Sequence, residues 1–330
     1  MELALPDPDH RFGEVVLAQE VRRPRLGPAF SFDGGVWQLR LPRPPVDRLE
    51  YLLEIDGELQ PDPSNPLRAP GPFGDKSVLE WPEYRAPDWL DSIADEGPTE
   101  WIEIRCRRLV ARVRVLLYAT PDPPARDAPL LVVHDGPEYA QYSLLTRFLD
   151  AMSWEERVPP LRAALIQPVD RDDTYSASAL YAAALVRELL PEIGRHAPHG
   201  LRVGVGASLG ALAFLHAHRR HPRAFDALFL QSGSFFQQRW DKVESSFPRY
   251  RRITRFVGGV LRERTAERPI PVALTCGLAE ENLANNRAVA AALGAQGYTA
   301  WLAEARDAHN WTCWRDALDP HLPALVEAAS

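Results

Sequence analysis

The feature that most constrains the fold is the stretch from Val203 to Ala211, which reads Val-Gly-Val-Gly-Ala-Ser-Leu-Gly-Ala. Valines at alternate positions suit a buried strand, and the small residues that follow suit the start of a helix. Gly206 and Gly210 flank Ser208, and glycines there relieve the clashes of a chain that turns abruptly from strand to helix. The stretch therefore predicts a strand, a tight turn and a helix, with the Ser208 hydroxyl projecting from the edge of a parallel sheet.

From about residue 101 the chain alternates apolar strands with amphipathic helices, which is typical of an α/β domain. Residues 101–106 and 113–118 are predicted to pair as antiparallel strands at one edge of the sheet. Leu130–His134 begins with four apolar residues, as expected for a central parallel strand. We therefore expect an α/β fold with a mostly parallel sheet and helices on both faces. The predicted helices include residues 144–153, 179–193, 209–221 and 282–293.

The first 88 residues have a different pattern, in which short β-type runs at residues 12–21, 36–41 and 51–55 are separated by turn sequences. The proline-rich stretches 62–66 and 69–72 must be loop. We expect a small β-sandwich over residues 1–88 and the α/β domain over residues 89–330. The basic segment 236–268 is predicted to be a lid or insertion over the site.

Composition excludes several classes of protein. The 330-residue chain has a formal net charge of −7, which argues against nucleic acid or an anionic membrane as its partner. Cys106, Cys276 and Cys313 lack metal-ligand spacing, and so few cysteines fit a reducing compartment. Residues 1–7 do not read as a signal peptide, and no apolar run could span a bilayer. We expect a cytoplasmic protein without a metal or an organic cofactor.

Ser208 occupies a turn that can expose a serine hydroxyl for chemistry. The amide of Leu209 would lie at the N-terminus of the next helix, where it can stabilise an oxyanion. A strand, turn and helix of this kind are characteristic of the α/β-hydrolase fold, in which the nucleophile is followed by an acid and then by a histidine. We therefore expect Ser208 to be a nucleophile and Leu209 to supply one oxyanion donor.

His309 lies between the last predicted strand, residues 299–303, and the final helix, where this fold holds its histidine. It is expected to act as general base toward Ser208 and then as general acid toward the leaving alcohol. His134, at the tip of a central strand, is the other candidate. Three histidines of the helix behind Ser208 are expected to face solvent, namely His216, His218 and His221.

Three carboxylates compete to be the acid that orients the histidine. Glu280 comes first in the turn after the predicted strand 272–276, Glu281 is next, and Asp307 lies two residues before His309. The chain order favours Glu280. A glutamate pair ahead of a helix can also serve only to stabilise the helix N-terminus.

Several polar segments fall at the ends of the predicted strands. They are His134-Asp135-Gly136, the stretch through Ala211, Gln231-Ser232-Gly233-Ser234-Phe235, Gly277-Leu278-Ala279-Glu280, Asn286-Arg287 and Ala308-His309-Asn310-Trp311-Thr312-Cys313-Trp314-Arg315. Together they resemble the enterochelin esterase (siderophore trilactone hydrolase) branch of the esterase D-like α/β-hydrolases, from about residue 101 to the end. This resemblance implies Ser208, His309 and Glu280 as the catalytic residues. More modestly, residues 51–66 resemble the immunoglobulin-like starch-binding-type modules attached to glycogen enzymes and siderophore esterases, which implies an immunoglobulin-like β-sandwich for residues 1–88.

Two departures from the family pattern fall in the predicted site. The family usually has Gly-Gly-His-Asp around its histidine, whereas this chain has Asp307-Ala308-His309-Asn310, which favours Glu280 as the acid.

The second departure concerns the second oxyanion donor. Related esterases take this donor from the residue after Asp-Gly, which here is Pro137 and has no N–H. We expect the donor to be the amide of Gly136 or Glu138, or a side chain such as that of Tyr139.

These features favour a serine carboxylesterase that hydrolyses a small-molecule ester or lactone through an acyl-enzyme on Ser208. The resemblance implies a siderophore ester of the enterochelin type. Substrate contacts are expected from Tyr139, Arg249, Arg252 and Trp311. The two arginines could hold an anionic ferric catecholate, or they could form a solvated basic helix face.

Two other functions stay open at this level. One is an esterase for acylated or aromatic sugar esters, with Trp37 and Trp81 as the aromatic residues to consider, although core packing is their plainer role. The other is a catalytically weak binding or scaffold protein with a hydrolase fold, for which Pro137 is the argument. The sequence does not indicate whether the chain forms a homo-oligomer.

Overall fold

The computed structural model describes residues 1–22, 24 and 27–330. Before residue 81 the chain forms two small sheets from the strands β1 (Glu2–Pro6), β2 (Val15–Gln19), β3 (Ser31–Asp33), β4 (Val36–Arg40), β5 (Arg48–Ile55), β6 (Glu58–Gln60), β7 (Arg68–Ala69) and β8 (Lys76–Glu80). One sheet has the order β1-β4-β3, and the other has the order β2-β5-β8-β7 with β6 paired to β5. All of these pairings are antiparallel.

The two small sheets share one apolar core. Leu3 and Leu5 of β1 alternate with exposed neighbours, so one face of this strand is buried. They belong to the same buried cluster as Leu17 of β2 and Tyr51 of β5, so the sheets pack face to face. Trp37 is 7% exposed in this cluster, so it packs in the core rather than offering a surface for a sugar.

A third, larger sheet follows, and its strands are β9 (Thr99–Cys106), β10 (Ala111–Ala119), β11 (Leu130–His134), β12 (Arg162–Ile166), β13 (Arg202–Ala207), β14 (Ala227–Gln231), β15 (Pro271–Gly277) and β16 (Thr299–Ala305). Their order is β16-β15-β14-β13-β11-β12-β10-β9. The strand β10 runs antiparallel to β9 and β12, whereas the other pairs are parallel. The carboxyl ends of β13, β15 and β16 therefore lie at one edge of the sheet.

The helices that cover this sheet are α1 (Gly136–Tyr142), α2 (Leu145–Trp154), α3 (Arg171–Thr174), α4 (Ala179–Ala184), α5 (Leu190–His196), α6 (Leu209–Arg220), α7 (Tyr250–Arg262), α8 (Leu283–Ala295), α9 (Trp311–Asp316) and α10 (His321–Ala329). A π-helical turn at Leu185–Leu189 joins α4 to α5, where the sequence predicts one regular helix. Within the described residues, each helix is too short or too polar to cross a membrane.

The sheet has a separate apolar core on each face. One core receives residues of α4, α6, α7 and α8, and the other receives residues of α1, α2 and α10. The predicted arrangement of a mostly parallel sheet with helices on both faces is therefore confirmed.

The predicted lid over residues 236–268 is wrong for residues 250–262, whereas Phe236 and Glu244 of the same segment do line the cavity described below. Residues 250–262 form α7, which connects β14 to β15 and covers the sheet. Its residues Ile253, Val257 and Val260 are buried in the large core. The sequence suggested a lid because the exposed face of α7 is rich in arginine, but the apolar face at helical spacing decides its position.

Two histidines of α6 are buried, although the sequence suggests that they face solvent. His216 is 6% exposed and His218 is 1% exposed. The helix lies between the sheet and its neighbours α4 and α7, so both imidazoles are enclosed.

Candidate active site

Ser208 occupies a strained turn between β13 and α6. Its backbone has φ 55° and ψ −122°, a combination that residues other than glycine rarely adopt. The turn favours glycine on both sides. A Cβ atom on Gly206 would lie 2.7 Å from the carbonyl carbon of Gly210, and one on Gly210 would lie 3.1 Å from the Cβ atom of His134. The predicted strand, turn and helix are therefore confirmed.

His309 and Glu280 are joined by a hydrogen bond at the same edge of the sheet. His309 lies in the loop after β16, and Glu280 lies in the turn after β15. Because these strands are parallel neighbours, their carboxyl ends bring the two loops together. Atom Nδ1 of His309 lies 2.8 Å from Oε2 of Glu280.

The Glu280 carboxylate is buried and held by three donors. Its Oε1 atom accepts a hydrogen bond from Ser232 Oγ at 2.6 Å and another from the Gly277 amide at 2.7 Å. The indole N–H of Trp314 donates to Ser232 Oγ at 3.0 Å. With His309 as the third donor, the orientation of the carboxylate is fixed.

The charge of Glu280 also affects the basicity of His309. Burial by itself would lower the pKa of His309, but the carboxylate and its hydrogen bond outweigh burial, and the pKa lies above its ordinary value of 6.5. An imidazole in this setting can accept a proton on Nε2 while Glu280 stabilises the resulting positive charge.

Ser208 and His309 line one cavity of about 300 Å³. Its other walls carry charged and aromatic side chains, including Glu20, Arg22, Phe236, Glu244 and Glu281. Glu20 and Arg22 come from the N-terminal unit, so two distant parts of the chain form this cavity.

The Ser208 hydroxyl has Ser234 as its neighbour. The two Oγ atoms are 3.1 Å apart, and the Ser234 amide donates to the Ser208 carbonyl at 3.1 Å. In the described part of the chain, Ser208 and His309 face the same cavity without a hydrogen bond between them. Such bonds are often long before substrate binds.

His134, the alternative histidine, is buried under the site. Its Nδ1 atom lies 3.0 Å from the Gly210 carbonyl oxygen, and its Nε2 atom lies 2.8 Å from the Tyr181 hydroxyl. Burial lowers the pKa of His134 to about 3. Both ring nitrogens are engaged away from the cavity, so this histidine is poorly suited to act on a substrate.

The alternative acids point elsewhere. Asp307 accepts hydrogen bonds from the Ala308 amide at 2.7 Å and from Asn310 Nδ2 at 2.9 Å. Burial raises the pKa of Asp307 to about 7, although the neighbouring Arg48 opposes the shift. Glu281 lines the cavity, whereas the carboxylate hydrogen bonded to His309 belongs to Glu280.

The three predicted oxyanion donors lie at two helix N-termini. Leu209 is the first residue of α6, while Gly136 and Glu138 lie in the first turn of α1. Amides in a first helical turn lack intrahelical acceptors. The two helix starts are adjacent, because a Cβ atom on Gly210 would lie 3.5 Å from a carboxylate oxygen of Asp135.

Two of the four predicted substrate contacts are aromatic residues packed beside the site. Tyr139 is fully buried, and its hydroxyl donates to Gln231 Oε1 at 2.8 Å. Trp311 packs edge-on against Tyr139 with ring centroids 5.4 Å apart. In this conformation neither ring belongs to the described cavity lining.

The other two predicted contacts, Arg249 and Arg252, are engaged by the segment around α3. Arg249 Nε lies 2.6 Å from Asp173 Oδ1, and an amino group of Arg252 lies 3.3 Å from the same oxygen. Arg252 also donates to the Ser176 carbonyl at 2.5 Å. Neither arginine belongs to the described cavity lining, whereas Arg22 does.

Sequence reasoning missed four residues of this site. Ser232 and Ser234 carried a signal, because they follow the end of a strand next to the one that leads to Ser208, but their individual contacts could not be inferred. Glu20 and Arg22 carried none, because their place on the cavity depends on how the N-terminal unit packs against the rest of the chain.

The mixed sheet, the strained serine turn and the hydrogen-bonded histidine and glutamate define a protein of the α/β-hydrolase class. A family model described as "Putative esterase" matches residues 107–325. The chain belongs to this esterase family.

Similar proteins agree with this membership. An iron(III) enterobactin esterase of Escherichia coli O6:H1 (strain CFT073) is 33% identical over 206 residues, which are 58% of this chain and 51% of that protein. One from Dickeya dadantii is 30% identical over 220 residues, which are 62% of this chain and 49% of that protein. The chain thus spans about half the length of the curated relatives it matches.

Solved structures show the same fold. An enterobactin esterase from Shigella flexneri, crystallised in the presence of enterobactin, has a TM-score of 0.78 at 23% identity, with 99% of this chain and 92% of that chain covered. A ferric enterobactin esterase from Salmonella typhimurium has a TM-score of 0.80 at 20% identity, with 99% and 93% covered.

Proposed function

We propose that this protein is a serine carboxylesterase that works through an acyl-enzyme on Ser208. The observation that carries the proposal is the hydrogen bond between His309 and the buried Glu280, on the same cavity as a serine in a strained strand-to-helix turn. Ser208 is the nucleophile, and His309 is the general base and acid. Glu280 orients the imidazole and stabilises the positive charge that forms on it.

The first half of the reaction forms the acyl-enzyme. His309 Nε2 takes the proton of Ser208 Oγ as this oxygen attacks the ester carbonyl, and the carbonyl oxygen becomes an oxyanion. The Leu209 amide donates to that oxyanion, with the amide of Gly136 or Glu138 as second donor because Pro137 has none. The protonated His309 then gives its proton to the leaving alcohol as the C–O bond breaks.

The second half regenerates the serine. His309 removes a proton from a water molecule as this water attacks the acyl carbonyl, and the same oxyanion donors act again. The proton then returns to Ser208 as the acid product leaves. The two half-reactions use one base and one oxyanion site, so both depend on the Glu280 contact to His309.

For the substrate, we propose a siderophore ester or lactone of the enterobactin type. The support is the 30–33% identity to iron(III) enterobactin esterases. On the cavity wall, Arg22 is the described arginine, and it lies beside the glutamates Glu20, Glu244 and Glu281. The predicted role of Arg249 and Arg252 in holding an anionic substrate is not favoured, because Asp173 engages both. Substitution of Arg22 therefore tests the charge part of this proposal.

We further propose that the chain has two domains, a β-sandwich of the immunoglobulin type over residues 1–88 and the catalytic domain over residues 89–330. The shared core of the two small sheets supports the first unit, and the family match over residues 107–325 supports the second. We also propose a reducing compartment, the cytoplasm, since Cys106, Cys276 and Cys313 are all buried and free.

The experiment that tests the proposal compares Ser208→Ala with wild type on a p-nitrophenyl ester series. Ser31→Ala, on the exposed strand β3, is the matched control. Loss of hydrolysis and of fluorophosphonate labelling in Ser208→Ala alone supports the serine mechanism. Absence of both in the wild-type protein would instead favour a binding or scaffold protein.

The substrate is tested separately. The wild-type protein is given a linear catecholate-serine ester, its ferric complex and a feruloyl sugar ester, and kcat/KM is compared. Preference for the catecholate ester supports the siderophore proposal, whereas preference for the feruloyl ester supports the sugar-ester alternative.

A further inference from the structure

The loops that carry Glu280 and His309 lie at the exposed edge of the large sheet. The strand β16, which leads to His309, is the last strand in the sheet order, and among the described residues β15 is its only neighbour in that sheet. The outer side of these loops therefore gains no support from another strand of the sheet. In the structure the N-terminal unit occupies this side.

Main-chain hydrogen bonds tie the N-terminal unit to both loops. The Arg22 amide donates to the Ala279 carbonyl at 2.9 Å, next to Glu280. The Asp47 amide donates to the Arg306 carbonyl at 2.8 Å, three residues before His309. Each bond fixes one of the two loops to the N-terminal unit.

A small apolar cluster fills the space between these bonds. Val21, Val46 and Leu49 of the N-terminal unit are buried with Ala279 and Ala308. Ala279 immediately precedes Glu280, and Ala308 immediately precedes His309. The side chains of one unit thus pack against the chain neighbours of both candidate catalytic residues.

Arg48 of β5 adds a charged contact to the histidine loop. Its side chain is 4% exposed, and one amino nitrogen lies 3.6 Å from Asp307 Oδ2, 3.5 Å from Asn310 Oδ1 and 2.8 Å from Glu50 Oε1. Asp307 and Asn310 are the residues two before and one after His309. Arg48 therefore bridges the N-terminal sheet to both sides of His309.

Glu50 extends this bridge into the last part of the chain. Its Oε1 atom accepts a hydrogen bond from Thr312 Oγ1 at 3.2 Å. Asn310 in turn accepts from the Cys313 amide at 2.8 Å at the start of α9. The loop is thus fixed between the N-terminal sheet and α9.

A buried arginine is a costly way to gain stability. Arg48 Nε is buried without a hydrogen-bond partner in the described residues, and buried ion pairs often contribute little net free energy. The geometry of Arg48 instead orients the histidine loop, because its planar guanidinium contacts residues before and after His309 in the chain. This is the property that a loop carrying a proton-transferring imidazole requires.

We propose that Arg48 is a positioning residue for His309. The N-terminal unit serves the reaction by fixing the loops of His309 and Glu280 relative to each other. The inference rests on the proposed esterase function. It assigns the N-terminal unit a role in the chemistry in addition to its two side chains on the cavity wall.

The test uses full-length variants. Arg48→Met removes the guanidinium and keeps the aliphatic stem, and kcat on a p-nitrophenyl ester should fall by about tenfold to a hundredfold, with KM within about twofold. Arg48→Lys retains the charge and should recover part of kcat. The matched control is Arg40→Met. Arg40 lies on β4 and forms an exposed ion pair with Glu2 of β1, so this variant should leave both kcat and KM unchanged.

Because Arg48→Met leaves buried carboxylates unpaired, a double variant guards against misfolding. Arg48→Met with Asp307→Asn removes one charge of each sign and should fold, yet kcat should remain low because the bridge is absent. Wild-type kcat in either folded variant would overturn the proposal.

A measurement that does not need turnover separates this proposal from the esterase proposal. The Nδ1 proton of His309 shared with Glu280 should give a downfield proton NMR resonance in wild type and in Arg40→Met, and it should shift or broaden in Arg48→Met. An unchanged resonance in folded Arg48→Met overturns the positioning role, whatever the protein hydrolyses. A changed resonance in a protein without esterase activity would overturn the proposed function alone.

Discussion

Ser232 Oγ lies 2.6 Å from Glu280 Oε1, while the other oxygen of the same carboxylate lies 2.8 Å from His309 Nδ1. The two oxygens of Glu280 therefore have different partners. One is fixed by Ser232 and the Gly277 amide, and the other is left for the imidazole. Ser232 thus acts on His309 through the orientation of Glu280.

Replacement of Ser232 by alanine should lower kcat by about tenfold. A hydrogen bond to a charged group contributes about 1.5–3 kcal/mol, and each 1.4 kcal/mol of barrier corresponds to about tenfold in rate. The same change leaves the Trp314 indole N–H without its acceptor, so the melting temperature should also fall. Steady-state kinetics and thermal unfolding of Ser232→Ala measure both effects.

Ser153→Ala, on α2 and outside the described cavity lining, is the control for Ser232→Ala. It should retain wild-type kcat. If Ser232→Ala kept wild-type kcat as well, Glu280 would not depend on this serine for its orientation.

Replacement of Glu280 by glutamine should change both rate and pH dependence. His309 must be neutral to act as base, so activity is lost as pH falls through its pKa, which Glu280 holds above 6.5. Without the carboxylate, burial dominates and the pKa falls, so the acid limb of kcat/KM should move to lower pH. The maximal kcat should fall by up to about 10⁴-fold.

The pH profile of Glu304→Gln is the comparison for Glu280→Gln. Glu304 is an exposed residue of β16 that pairs with Arg287 at 2.6 Å. Its profile should match wild type. An acid limb that stayed in place in Glu280→Gln would mean that another group controls the ionisation of His309.

Local sequence pattern predicts most of the large sheet and the places in the fold where Ser208, Glu280 and His309 of the candidate site lie. The strand, turn and helix around Ser208 follow from glycine spacing and periodicity, and the positions of Glu280 and His309 follow from the order of strands. These signals are short-range, so they can be read without knowing how distant segments pack. The helices that cover both faces of the sheet could be predicted for the same reason.

Features set by long-range packing could not be predicted in this way. The arginines of α7 suggested a lid because charge is visible in sequence, whereas the burial of Ile253 and Val257 depends on the neighbouring sheet. Arg22 and Arg48 reach the site through the docking of the N-terminal unit, and no local pattern indicates that docking.

Arg22 provides a test of how an anionic substrate is held. The residue lines the cavity, whereas Arg249 is paired with Asp173 at 2.6 Å. Arg22→Gln should raise KM for an anionic ester by about two- to fivefold, the range expected of an exposed ion pair. The effect should shrink in high salt.

Two comparisons complete the Arg22 test. KM of Arg22→Gln for a neutral p-nitrophenyl ester should stay close to wild type, and Arg249→Gln should leave KM unchanged for both esters. A larger effect of Arg249→Gln than of Arg22→Gln on the anionic ester would place the anion near α7 instead.

His218 of α6 is a buried base that the reaction does not use. It is 1% exposed, and its Nε2 atom donates to the Arg268 carbonyl at 3.1 Å. Burial lowers the pKa of His218 to about 4, helped by the nearby charges of Arg219 and Arg268 and opposed by the Arg268 hydrogen bond and by Asp226. The folded state therefore holds this imidazole neutral at pH values where the unfolded chain would protonate it.

Stability should consequently fall as pH falls from about 6.5 toward 4. Because the unfolded chain binds the proton first, His218 stabilises the fold above pH 6.5 and loses this contribution as pH drops through its folded pKa of about 4. Between pH 7.5 and 5 the free energy of unfolding should lose about 2 kcal/mol from this residue. Urea unfolding of His218→Gln should show a loss smaller by that amount, while the exposed His196→Gln should match wild type. Equal pH dependence in His218→Gln and wild type would mean that His218 is protonated without cost in the folded protein.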